Sequence, residues 1–147
     1  MQHITSHNNK IFVYSYNLQG HDYSSGVWQF QGHAYIPAGT TGVSVMQVFH
    51  ATHRNTTLML WVNNGALMYY GRQLIADEIY GKWIKINVIH DTGAGMLKVF
   101  VNGELKFTVG DDGGMNHYFK LGVYTQNFSS YFMESRWKGI KVLKKAD

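Results

Sequence analysis

The feature of this sequence that most restricts its fold is a strict two-residue alternation of side chains over Val27–Ile36. Successive residues of an extended chain point in opposite directions, so alternating residues line opposite faces of a β-strand. One face is apolar and consists of Trp28, Phe30, Gly32, Ala34 and Ile36. The other face carries Val27, Gln29, Gln31, His33 and Tyr35. The pattern predicts a strand with one face on a core and the other toward solvent or a ligand.

Short apolar segments of this kind recur along the chain, with turn residues between them. The expected strands are Ile11–Leu18, Val27–Ile36, Gly42–Ala51, Thr57–Val62, Lys82–His90, Met96–Val101, Glu104–Val109, Tyr118–Gln126 and Met133–Leu143. Apolar residues spaced three and four apart are not sustained anywhere, so no long helix is expected, and only a short helical turn around Leu74–Ile79. The sequence therefore predicts one all-β domain, residues 1–147, in which two antiparallel sheets pack as a sandwich.

The last expected strand requires one irregularity. Trp137 and Ile140 differ in parity, yet both have the character of core residues. A β-bulge places one extra residue in a strand and restores such a pair to the same face. The sequence predicts a bulge at Gly139.

Composition excludes several classes of protein. With no Cys, the chain has no disulfide, no thiolate nucleophile and no cysteine-ligated zinc. No stretch approaches the roughly 20 apolar residues of a membrane-spanning helix. The net charge is +4, but only three residues are Arg and no basic run is interleaved with aromatic residues. Nucleic acid is therefore not an expected partner.

Two short motifs contain residues that can bind metals, and neither predicts a metal site. His50-Ala51-Thr52-His53 has suitable spacing, but no third ligand is evident, so a pair of loop histidines is favoured. Gly110-Asp111-Asp112-Gly113-Gly114 contains too few acidic residues for calcium and is more typical of a turn. We expect neither a metal nor a cofactor.

Polar residues share one face of several expected strands. Alternation places Phe119, Leu121 and Val123 inward, which leaves Tyr118, Lys120, Gly122, Tyr124 and Gln126 on the opposite face. Gln47 and Phe49 share the corresponding face of their strand. Phenols and amides suit hydroxylated rings, and a lysine suits a carboxylate. An ordinary solvated face is the alternative reading of the same pattern.

The segment Tyr118–Gln126 (YFKLGVYTQ) closely resembles the YFKAGxYxQ motif of the alginate lyase 2 superfamily, which includes polysaccharide lyase family seven. Met46-Gln47-Val48-Phe49 stands where that superfamily has its Q-(I/V)-H motif. Flanking segments, among them Asp22–Gln31 and Met133–Lys144, are similar to the plant citrate-binding proteins of the superfamily. The resemblance covers roughly residues 20 to 145. It implies a concanavalin A-like jelly-roll sandwich with a concave ligand cleft.

The departures from the family pattern concern the residues that surround the uronate in the lyases. Gln47 and Tyr124 match the family, but Phe49 replaces the histidine. The R-T-E-L-R motif falls on Val13–Asn17, which contains neither the arginines nor the glutamate. Elimination at a uronate needs its carboxylate neutralised and a base for the proton. The resemblance therefore favours binding over depolymerisation.

The expected function is binding of a small anionic or hydroxylated ligand, such as an organic acid, a uronate or a plant metabolite. The candidate ligand-binding residues are Gln31, Tyr35, Gln47, Phe49, Lys120, Tyr124 and Gln126. The alternative is an enzyme in which Tyr124 works with His33 or Lys120 in acid–base chemistry. Its reaction would be polyuronate β-elimination or the cyclisation or isomerisation of a small molecule.

The N-terminal part of the chain is expected to be shorter than in the family. The resemblance implies the secretory route, to the vacuole or the cell exterior. A signal peptide begins with a basic segment and continues with an apolar one. Neither segment follows Met1, so no signal peptide is visible. A cytoplasmic location stays open, as does the oligomeric state.

Overall fold

The computed structural model describes residues 2–6, 16–17, 22–50 and 55–146, and within these ranges the chain forms β-strands without a helix. The strands are β1 (Gln2–Ser6), β2 (Tyr16–Asn17), β3 (Val27–Tyr35), β4 (Val43–His50), β5 (Asn55–Asn63), β6 (Ala66–Tyr69), β7 (Gln73–Ala76), β8 (Trp83–Asp91), β9 (Met96–Val101), β10 (Glu104–Gly110), β11 (His117–Thr125) and β12 (Met133–Lys144). The described residues contain no helix that is long and apolar enough to cross a membrane.

The strands form two six-stranded antiparallel sheets. The first sheet has the order β1-β12-β3-β8-β9-β10, and the second has the order β2-β11-β4-β5-β6-β7. The expected all-β sandwich is confirmed. Strands β3 and β4 follow each other in the chain but belong to different sheets, and this separation decides which polar residues can share a site.

The core lies between the sheets, and an aromatic group occupies its centre. The ring centroid of Phe30 on β3 is 5.7 Å from that of Phe119 on β11 and 5.8 Å from that of Trp137 on β12. All three side chains are fully buried. Burial of one such side chain stabilises the fold by about 1.5–3 kcal/mol. The alternation expected for β3 is confirmed, since Phe30, Gly32 and Ala34 face this core.

The bulge expected at Gly139 is present. The pairing of β12 with β3 shifts between Lys138 and Lys141, and Gly139 has a φ of 62°. A side chain is strained in this left-handed region, whereas glycine is not. Because of the bulge, Trp137 is buried and Ile140 packs against the core from the same face.

The expected helical turn around Leu74–Ile79 is wrong, because residues 73–76 form strand β7. This strand pairs with β6, where Met68 lies opposite Leu74 and Tyr69 opposite Gln73. Pairing with an existing sheet edge outweighs the weak local preference for a helix. Of the expected strand Ile11–Leu18, only Tyr16–Asn17 lies within the described residues.

Candidate functional site

The candidate site lies on the outer face of the second sheet, where β11 pairs with β4. In this register, Tyr118 lies opposite Phe49, Lys120 opposite Gln47 and Tyr124 opposite Ser44. Directly paired residues of antiparallel strands project to the same face. The inward residues of the two strands, such as Phe119 and Met46, belong to the core. We call the outward set Ser44, Gln47, Phe49, Tyr118, Lys120 and Tyr124 the Lys120 face.

Lys120 is the central cation of this face. Its Nζ lies 4.5 Å from the ring centroid of Tyr124 and 5.3 Å from that of Phe49. Both distances are within the range of a cation–π interaction, which contributes about 0.5–1 kcal/mol at exposed sites. No ion pair of Lys120 is found among the residues that the structure describes. The rings therefore hold the ammonium without neutralising its charge.

Gln47 and Tyr118 supply hydrogen-bonding groups on either side of Lys120. Gln47 is only 6% exposed, and its Nε2 donates a hydrogen bond of 3.2 Å to Oγ of Ser44. Tyr118 packs on Phe49 with ring centroids 5.2 Å apart. Burial raises the pKa of Tyr118, and the nearby Tyr124 and Asp22 raise it further. The phenol of Tyr118 therefore stays protonated at neutral pH and can donate a hydrogen bond.

The Lys120 face continues into a cavity at its Tyr124 end. Trp61 on β5 lies opposite Ser44, which itself lies opposite Tyr124. The cavity has a volume of about 400 Å³ and is lined by Thr41, Gly42, Trp61, Asn63, Asn64, Asn127 and Phe128. Nε1 of Trp61 is shielded from solvent and has no hydrogen-bond partner among the described residues. Gln126 lies just beyond the end of β11, where its N–H donates to the carbonyl of Gly42 over 2.9 Å.

Sequence reasoning missed Ser44 and Trp61. The pairing of β4 with β5 shifts between Ser44 and Met46, so simple alternation along β4 does not place Ser44 beside Gln47. Trp61 lies between the buried Leu60 and Val62 on β5. Alternation along this strand therefore could have predicted that Trp61 points outward.

The structure does not bring Gln31, His33 and Tyr35 to the Lys120 face. They lie on β3 in the first sheet, and their side chains point outward from the opposite side of the sandwich. The expected grouping of these residues with Tyr124 is corrected for this reason. A catalytic pair of Tyr124 and His33 is excluded as well, because the core separates the two side chains.

Strand β2 runs beside the Lys120 face. Its Asn17 pairs with Lys120 and its Tyr16 pairs with Leu121. The segment expected from the resemblance to correspond to the R-T-E-L-R motif therefore ends beside the strand that carries Lys120, and its residues 13–15 lie outside the described part of the chain.

A second group of chemically active side chains lies buried between the sheets and was not expected. His90 on β8 and His117 on β11 have ring centroids 4.6 Å apart. Nδ1 of His90 is 2.9 Å from the hydroxyl of Tyr23, and its Nε2 is 2.9 Å from Oδ2 of Asp111. These residues are distant in sequence, and no local pattern joins them. We call Tyr23, His50, His90 and His117 the buried histidine cluster.

Within the buried histidine cluster, the surroundings of His90 and His117 favour neutral imidazoles. Burial lowers the pKa of His90, although the hydrogen bond to Asp111 opposes this effect, and burial also lowers the pKa of His117. Burial raises the pKa of the Tyr23 phenol far above its ordinary value. The Tyr23 hydroxyl therefore donates to Nδ1 of His90, and Nε2–H of His90 donates to Asp111.

The two motifs considered for metal binding meet at this end of the sandwich. Nε2 of His50 lies 3.2 Å from Oδ1 of Asp112, so the histidine at the end of β4 contacts the acidic turn that follows β10. No group of three residues able to hold a metal is found in the described part of the chain. Residues 51–54, which include His53, are outside that part.

The geometry defines an antiparallel β-sandwich with a lysine, amide and phenol face on one sheet. Residues 9–144 match the alginate lyase 2 family, which is described as alginate lyase. The chain belongs to this family. A curated relative, the citrate-binding protein of Hevea brasiliensis, is 54% identical over 128 residues, which cover 86% of this chain and 54% of the relative. The chain thus spans about half the length of that relative.

Solved structures with a similar fold include alginate lyases. AlgAT5, from polysaccharide lyase family 7, superposes with a TM-score of 0.69 at 21% identity over 85% of this chain and 63% of the lyase. The alginate lyase of Corynebacterium sp. superposes with a TM-score of 0.69 at 16% identity over 84% of this chain and 62% of the lyase. These likenesses support the jelly-roll sandwich expected from the sequence.

Proposed function

We propose that this protein binds a small organic acid, of the di- or tricarboxylate or uronate class, on the Lys120 face. The observation that carries the proposal is the ammonium of Lys120, which lies between the rings of Tyr124 and Phe49 without a carboxylate partner among the described residues. A cation held in place by rings but not neutralised is suited to an anionic ligand.

Each member of the Lys120 face has a separate role in this proposal. Lys120 binds a ligand carboxylate, and charge-assisted hydrogen bonds of this kind contribute about 1.5–3 kcal/mol. Gln47 and Ser44 orient the ligand through their amide and hydroxyl, and the phenols of Tyr118 and Tyr124 donate to its hydroxyl or carboxylate oxygens. Phe49 forms an apolar wall.

The comparisons support a ligand-binding role for this protein. The name of the Hevea relative says that it binds citrate, a small tricarboxylate. In the present chain, Phe49 occupies the position of the family's histidine, so the face retains groups for binding but lacks that base.

Calorimetric titration with citrate and with galacturonate tests the proposal. Lys120→Ala should weaken binding of at least one of these acids roughly ten- to hundred-fold, because it removes the ammonium that binds the ligand carboxylate. Lys106→Ala is the matched control, since Lys106 is a surface lysine paired with Glu104 at 2.7 Å. Equal affinities of the wild type and Lys120→Ala would contradict the proposal.

A second candidate function is polyuronate β-elimination, and the contact between Lys120 and Tyr124 favours it. In that reaction Lys120 would neutralise the uronate carboxylate, and Tyr124 would take the proton from C5 and supply one to the glycosidic oxygen as its bond to C4 breaks and the C4–C5 double bond forms. Formation of an unsaturated product from alginate or polygalacturonate, followed by its ultraviolet absorbance, tests this activity. A rate that persists in Tyr124→Phe would contradict a role for Tyr124.

A further inference from the structure

The outer face of the first sheet carries a second set of cations, on the opposite side of the sandwich from Lys120. In the register of three adjacent strands, Lys138 of β12 lies opposite His33 of β3, and His33 lies opposite Lys85 of β8. In the next row, Arg136 lies opposite Tyr35, and Tyr35 lies opposite Trp83. We call these six residues the Lys138 face.

In the row formed by Lys138, His33 and Lys85, the two lysines flank the histidine. Neighbouring strands are about 4.8 Å apart, so the lysine backbones lie about 10 Å apart and their ammonium groups repel each other across one strand. No ion pair of Lys85 or Lys138 is found within the described ranges. The acidic side chain on this part of β12, Glu134, binds Nε of Arg136. An anionic partner would relieve the repulsion within the row.

Aromatic rings hold the cations of the Lys138 face in place. Nζ of Lys138 lies 4.1 Å from the ring of Trp83, and Cζ of Arg136 lies 5.2 Å from the ring of Tyr35. The two rings also pack on each other, with centroids 5.5 Å apart. Contacts that fix charged groups before binding reduce the entropy lost on binding.

Two amides lie beside the row formed by Lys138, His33 and Lys85. Gln31 of β3 lies opposite Asn87 of β8 and opposite Lys141 of β12. An amide both donates and accepts hydrogen bonds, so it matches a hydroxyl group, which does the same. A ligand complementary to the whole surface therefore carries carboxylates, hydroxyls and ring faces that recur along a chain.

We propose that the Lys138 face binds an acidic polysaccharide built of carboxylated sugars. Nucleic acid is the less suitable ligand, because the guanidinium of Arg136, the group best matched to phosphate, already binds Glu134. The site is independent of the Lys120 face, because the core of the sandwich separates the two outer faces.

Affinity electrophoresis in gels containing sodium polygalacturonate or alginate tests this site. The double variant Lys85→Ala and Lys138→Ala should bind the polymer at least ten-fold more weakly than the wild type. The double variant Lys106→Ala and Lys145→Ala removes the same charge elsewhere on the surface and should retain binding. If the alanine variant does not fold, Lys85→Gln with Lys138→Gln provides the same test.

Three results would overturn the proposal. The first is unchanged polymer binding by the folded Lys85 and Lys138 variant. The second is tighter retardation by poly(U) than by either polyuronate at the same ionic strength. The third is displacement of the polymer by saturating citrate at matched ionic strength, which would place both ligands on the Lys120 face. If the wild type binds the polymer but neither citrate nor galacturonate, only the function proposed for Lys120 is contradicted.

Discussion

Lys120 and Tyr124 lie on the same strand, and the ammonium of the first is 4.5 Å from the ring centroid of the second. Residues four apart in a regular strand are separated by about 13 Å. The lysine and tyrosine side chains therefore converge over the face of the sheet, where the ring of Phe49 lies 5.3 Å from the same ammonium. This orientation brings a positive charge and a phenol to one place, where a carboxylate can meet both.

The position opposite Lys120 offers a test of electrostatics without loss of volume. Gln47→Glu places a carboxylate directly across from Lys120. The new ion pair should neutralise the ammonium and lower the affinity for citrate or galacturonate at least ten-fold at pH 7 in calorimetric titrations.

The control for this change is Gln29→Glu, which adds the same charge on β3 in the other sheet. Its affinity should stay within about two-fold of the wild type, since charges separated by more than a Debye length of about 8 Å are largely screened. If both variants weaken binding equally, net charge rather than Lys120 controls the affinity.

The buried histidine cluster predicts that stability decreases in mild acid. The pKa values of His90 and His117 are lowered by burial, so the unfolded state binds protons that the folded state does not. Protonation of these two histidines should therefore leave the free energy of unfolding unchanged above about pH 6.5, the pKa of an unperturbed histidine. Below that pH, the free energy of unfolding should fall as the pH decreases. Urea denaturation followed by tryptophan fluorescence from pH 7.5 to 5 measures this slope.

Extension of the same urea series below about pH 4 provides a second check. The pKa values of Asp111 and Asp112 are also lowered; burial opposes this shift, but hydrogen bonds to the carboxylates outweigh it. Stability should therefore decline again at a pH below about 4. A free energy of unfolding that stays constant between pH 7.5 and 5 would contradict the assignment of neutral histidines.

Tyr23→Phe isolates one hydrogen bond of the cluster. The change removes the hydroxyl that lies 2.9 Å from Nδ1 of His90 and leaves a buried acceptor without a partner. Such a loss costs about 1–3 kcal/mol of stability. Tyr131→Phe is the control, because Tyr131 is 75% exposed and its substitution should change stability by less than about 0.5 kcal/mol. Equal urea midpoints for the two variants would argue against the hydrogen bond.

Gly139→Ala tests the bulge of β12. At a φ of 62°, an alanine is strained by about 1–2 kcal/mol relative to glycine. In contrast, Gly93→Ala introduces a Cβ only into ordinary contact with Asp91, at 3.5 Å, and should be nearly neutral. Thermal unfolding of both variants compares the two costs, and a Gly139→Ala variant as stable as Gly93→Ala would show that the bulge relaxes.

Much of the fold was predictable because two-residue alternation is a local property. The inward positions of Phe30, Phe119 and Trp137 follow directly from it. The strand at Leu74 was not predicted, because it is the second strand of a hairpin whose first strand, β6, was not among the expected strands.

The candidate site was predictable only in part. Alternation showed that Lys120, Gln47 and Tyr124 point away from the core, and the family motif linked them. Alternation could not show that His33 belongs to the other sheet. It identifies the side of a strand that faces the core but not the sheet that the strand joins. The contact of His90 with His117 joins positions far apart in sequence, so only the packed sandwich reveals it.

The bulge at Gly139 divides β12 into two segments, and side chains alternate between core and surface separately in each segment. Removal of the one extra residue would leave Trp137 and Ile140 facing the core, because the residues on either side already alternate in step with β3. A deletion at any regular position of the strand would instead turn every later side chain to the opposite face. This short stretch is therefore the place in β12 where the chain can change length without exchanging its core for its surface.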